Sequence, residues 1–132
     1  MSVAFDIATY LDSLDICGDI GENIRVNTMD EMADSLTAVF ETPGAESTKT
    51  HGGAVAFEHP NIDIWVRDLD PEAAHSTCYT IQKALDGAKD VTVNGHEYLY
   101  MRCTSTTGFM GRDQKERAAY RALFRVERRP EA

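Results

Sequence analysis

Apolar residues recur along this chain in two rhythms, and the switches between them mark out its elements. Val3, Ile7, Leu11 and Leu14 stand three or four residues apart, which sets one apolar stripe on a helix from about residue 3 to 15, with Ser2 as its N-cap. Gly18 and Gly21 end that helix. Residues 23–28 and 36–42 then read as short strands, the second through its β-branched and aromatic run Leu36, Thr37, Ala38, Val39, Phe40. Further on, Ile62, Ile64 and Val66 alternate with Asp63, Trp65 and Arg67, the pattern of a half-buried strand that carries Trp65 on its polar side.

Asp70-Pro71-Glu72 is a strong helix start, because an aspartate caps free amides, proline suits the first turn and glutamate suits the positive end of the dipole. Ala74, Cys78, Ile81 and Leu85 supply the inward stripe of this helix, about 71–86, and Gly87 follows its end. In VTVNGHEYLYMR, Asn94-Gly95 supplies the positive φ angles of a tight hairpin turn, with Val91, Val93, Tyr98 and Tyr100 on one face. A last strand from Ala119 to Arg128 alternates Tyr120, Ala122, Phe124 and Val126 with Arg121, Leu123, Arg125 and Glu127. Two stretches show no sustained period and are rich in Gly, Ser and Thr, so they read as long loops, at about 43–58 and 104–117. The expected order is α-β-β-β-α-β-β-β. That is an α+β fold in a single domain spanning 1–132, with a mixed, mostly antiparallel β-sheet and two α-helices packed on one face.

Charge changes what such a domain can bind. The formal net charge is −9, which repels phosphate backbones and anionic lipid and argues against nucleic acid or membrane as a partner. The charge is also uneven: residues 1–60 hold 2 basic and 11 acidic side chains, whereas residues 102–129 hold 8 basic and 3 acidic ones. Three cysteines, Cys17, Cys78 and Cys103, are an odd count without CxxC spacing and suit a reducing compartment better than a disulfide or zinc scaffold. The N-terminal residues lack the pattern of a secretory leader, so synthesis in cytoplasm is expected.

Candidate chemistry is thin. Gly44 to Thr50 ends in Lys-Thr after a strand, as a phosphate loop does, but it lacks the glycine before the lysine and no helix follows it. His51, His59, His75 and His96 show no metal-ligand spacing, and Cys78 sits on the inward stripe of the second helix as a core residue. No catalytic residue, cofactor or metal site is expected, and the chain reads as a structural subunit rather than an enzyme.

The candidates for partner contact are Trp65, Phe109, Met110, Arg112, Arg121 and Arg125. Trp65 either covers the outer face of the sheet or anchors a subunit contact, since aromatic residues are enriched in interface cores. Phe109 and Met110, between Gly108 and Gly111, are either a plug over the core or an exposed apolar tip. Arg121 and Arg125 share the face of the last strand opposite its apolar side and are expected to meet acidic groups of a neighbour.

With the first helix, the capped second helix, the VTVNG hairpin, the YLYMR strand, Gly111-Arg112-Asp113 and the final FRVER strand in this order, the chain resembles the tailed-bacteriophage minor capsid and tail-terminator family over nearly its whole length. The resemblance implies a virion protein of the tail or neck. It implies self-assembly into a ring, typically a hexamer, that caps the tail tube protein and offers a docking surface to the head-tail connector. The resemblance carries no catalytic residue. Another neck or head-tail connector role, or a small-ligand-binding or regulatory α+β domain, would suit the same composition.

Overall fold

The first helix, α1 (Val3–Leu14), begins where the Ser2 side chain accepts a hydrogen bond from the Phe5 amide at 3.2 Å, and it ends at Asp15 in the left-handed region with φ 56°. In the computed structural model, which describes residues 2–130, its apolar stripe is buried from Val3 to Leu11, while Leu14 stays 38% exposed. The second helix, α2 (Pro71–Leu85), is capped by Asp70, whose carboxylate accepts from the Glu72 amide, and it buries Ala74, Cys78, Ile81 and Leu85 as its periodicity predicts.

Six strands form one sheet: β1 (Ile24–Val26), β2 (Leu36–Lys49), β3 (Val55–Asp68), β4 (Lys89–Val93), β5 (His96–Arg112) and β6 (Ala118–Arg128). Their spatial order is β1-β2-β3-β6-β5-β4. The β1–β2 pair is parallel and the rest are antiparallel, so the α+β class, the element order and the mixed sheet follow the sequence reading. Buried residues of both helices share one cluster with Val39, Ile62, Ile64, Ala122 and Phe124, which places both helices on the same face. Among the described residues no helix is long and apolar enough to cross a membrane.

The two expected loops are largely strand. Residues 43–49 extend β2 and 55–58 begin β3, leaving a turn at 50–54; residues 104–112 extend β5, leaving a turn at 113–117. Both segments hide their period because bulges interrupt it. Register shifts fall between Thr42 and Ala45, and again between Ala45 and Thr48, along β2. Along β5 they fall between Cys103 and Ser105, Ser105 and Gly108, and Phe109 and Gly111. At Gly44 a Cβ would stand 1.7 Å from the His59 carbonyl oxygen, so only glycine lets β2 approach β3 there.

Candidate interaction face

Among the described residues, the sheet's second face carries no helix. The register aligns three of its rows: Ala38, Trp65 and Arg121; Phe40, Asp63 and Leu123; and Thr42, Asn61 and Arg125, with Arg102 of β5 opposite Arg125. These rows alternate with those that feed the helical core.

Asp63 is only 6% exposed on this face. A side chain, not a helix, covers it. Arg121 grips its carboxylate with two parallel bonds, Nε to Oδ1 at 2.8 Å and Nη2 to Oδ2 at 2.6 Å, a fork geometry that suits arginine. The same guanidinium lies 5.1 Å from the centre of the Trp65 ring. The bonds to Asp63 raise the Arg121 pKa above its ordinary value. Arg121, expected from sequence to face a neighbour, is paired with Asp63 within its own subunit.

At one end of the face a strap, residues 27–35, is held through its backbone. Arg67, 4% exposed, donates from Nη2 to the carbonyl oxygens of Asp30 and Ala33. Arg117, 3% exposed, donates from Nη1 to the carbonyls of Glu31 at 2.7 Å and Ala33 at 3.1 Å, and from Nε to Asp113 at 2.7 Å. Amide donors at Met32 and Arg117 hold the carboxyls of Asp30 and Asp113, respectively, below their ordinary range. Between strap and sheet, Met29, Phe40, Asp63 and Trp65 line a shallow cleft of about 410 Å³. A second cleft, about 310 Å³, joins Trp65 to Met110, Arg112 and Arg117. These are shallow surfaces with charged rims, suited to another protein surface. Among the described residues no group of three or more His, Cys, Asp or Glu side chains is placed to hold a metal ion.

A family model described as bacteriophage tail terminator protein matches residues 10–129. The chain belongs to this family. It is therefore a structural protein of a phage tail, and so of the virion. Among curated proteins, none matches the chain in sequence.

Within this tail terminator the candidate contact residues divide unequally. Trp65, Arg121 and Arg125 lie on the open face, and Met110 and Arg112 border it through the second cleft, where Arg112 Nη1 also holds the Glu116 carbonyl at 2.8 Å. Phe109 does not join them. It packs edge-on to Tyr120 at 5.5 Å, and Tyr120 meets His75 of α2 at 5.3 Å, all on the helical side. Phe109 and Met110 are 55% and 47% exposed. Met110 lines the cleft beside Trp65 while Phe109 packs on Tyr120 on the helical side, so the two do not form one apolar tip.

One polar cluster escaped the sequence reading. Asp6, fully buried on α1, accepts from Asn94 Nδ2 at 2.9 Å and Tyr98 Oη at 2.5 Å, with His96 Nδ1 also at 2.5 Å. Burial first, and then the bond to Asp6, push the Tyr98 hydroxyl far above its ordinary pKa. The network ties α1 to the β4–β5 hairpin across about ninety residues of chain. The available signal was an aspartate adjoining the apolar stripe of α1, three residues after Val3 and one before Ile7.

Proposed function

We propose that the chain is a tail terminator subunit that assembles with copies of itself into a ring, hexameric by family resemblance, which closes the tail tube and joins it to the head connector. The observation that carries this reading is the family match over residues 10–129. The helix-free sheet face, with an aromatic centre and a cationic border, supports it as a contact surface. Closed rings need two different complementary surfaces on each subunit. The acidic first part of the chain and the basic stretch from Arg102 to Arg129 are candidates for the two.

The test is a virus lacking this chain, imaged by electron microscopy, with the purified protein examined in parallel by native mass spectrometry. Tails of uncontrolled length, unjoined heads and a purified closed ring are the expected results. Tails of normal length that simply fail to join heads would assign the chain to another neck layer. Complete particles without the chain would overturn the reading.

A further inference from the structure

The chain holds nine arginines, and seven have polar partners within the subunit. Arg25 pairs with Asp30, Arg121 with Asp63, Arg128 with Glu58 and Arg129 with Glu97. Arg67, Arg112 and Arg117 donate to backbone carbonyls. Among the described residues Arg102 and Arg125 have no such partner. They also stand directly opposite one another across the β5–β6 ladder. Moreover, Arg125 Nε is sealed from water with no acceptor. Like charges directly opposite repel, and a buried donor without an acceptor costs free energy. Both penalties fall at one spot on the uncovered face, and the repulsion between the two guanidinium groups would be relieved by a carboxylate arriving from outside.

The same chain presents such carboxylates elsewhere. Residues 12–22, from the last turn of α1 to the approach to β1, contain Asp12, Asp15, Asp19 and Glu22 and no lysine or arginine. Asp15, Asp19 and Glu22 are exposed, and none has an ion pair among the described residues. Leu14, 38% exposed beside them, gives this knob an apolar contact to set against the Phe40–Trp65–Leu123 side of the open face. Because α1 packs on the helical side of the sheet, knob and arginine pair are different surfaces of one chain. That is the geometry of a head-to-tail contact.

We propose that the Arg102–Arg125 pair on the open sheet face receives the acidic knob at the C-terminal end of α1 (Asp15, Asp19, Glu22) from a second copy of the chain. The contact rests on the ring reading and specifies which surfaces close it. It assigns the neighbour-facing role to Arg102 with Arg125, and leaves Arg121 to its own Asp63.

Three variants test it by native mass spectrometry and sedimentation: R102E/R125E, D15K/D19K/E22K, and the two sets combined on one chain. Each set alone should weaken self-association by roughly 100-fold or more, and the combined chain, with its charges exchanged, should recover it. R102Q/R125Q, which removes the like-charge pair where R102E/R125E exchanges it for another, should melt no lower than the wild type, and it serves in the association assay should the glutamates unfold the chain. A wild type that forms rings while both reversals also form them overturns the contact and leaves the ring reading standing. Loss with the arginine set alone, without loss in the acidic set, also overturns it, since the knob is then not the occupant. A wild type that stays monomeric at every concentration overturns the ring reading, and the contact with it.

Discussion

Replacing Asp6 with alanine should destabilise the subunit by about 3 kcal/mol. The Tyr98 hydroxyl, on a residue 1% exposed, would lose its acceptor with no route to water, which costs about 1–3 kcal/mol. Asn94 and His96 sit nearer the surface and can partly turn to water, so together they add about 1 kcal/mol. At roughly 2.1 cal/mol/K per residue, a chain of 132 residues unfolds with an entropy near 280 cal/mol/K. A loss of 3 kcal/mol then lowers Tm by about 11 °C. Thermal unfolding followed by circular dichroism measures this, and a double-mutant cycle with Tyr98→Phe isolates the shared bond. The two changes should be less than additive by about 1 kcal/mol or more, because either one alone already breaks the same contact. A fall in Tm below about 3 °C, or strict additivity, would show that the network does not hold α1 to the hairpin.

Arg121→Ala should cost about 1–2 kcal/mol, because Asp63 is left nearly buried and unpaired, and a Tm unchanged within a degree would refute that role. Phe109→Ser should lower Tm by several degrees through lost contact with Tyr120, whereas Met110→Ser should change it little; equal effects in the same unfolding assay would contradict their placement on opposite faces. The carboxyls of Asp30 and Asp113 lie below their ordinary value of 3.8 when folded. Their contribution is therefore complete above that value and is lost as pH falls through the lowered folded values. Fluorescence of Trp65, the one tryptophan beside Met29 of the strap, should hold steady down to about pH 4 and change in stronger acid before far-ultraviolet dichroism does; coincident changes would mean the strap does not loosen on its own.

The elements legible in the sequence are those whose signal is local. Asp70-Pro71 and Asn94-Gly95 set backbone geometry within a few residues, and both behave as read: Asp70 caps α2, and Asn94 and Gly95 adopt φ 52° and 79°. The outer halves of β2, β3 and β5 were not legible, because their strand character comes from the partner strand. Thr, Ser and Gly in PGAESTKT or TSTTG have no apolar face to alternate once bulges shift the phase. Tertiary pairing there overrides a composition that reads as coil.

The interaction face was legible by element but not by partner. Alternation along β6 was enough to place Arg121 and Arg125 on the side away from the core. Which of the two is free depends on what lies across the ladder, and that is a matter of register between segments some sixty residues apart. Trp65 pairs with Arg121 and Asp63 with Leu123, so the Asp63 carboxylate lies within reach of Arg121, while Arg125 faces Asn61 on one side and Arg102 on the other. One arginine is thereby neutralised and the other left beside a like charge. An exposed ion pair contributes only about 0–1 kcal/mol, whereas a buried unmatched donor or a facing cation opposes the isolated fold. The residues best suited to a neighbour are therefore the two cations that face one another without an acceptor among the described residues, and register between distant segments decides which those are.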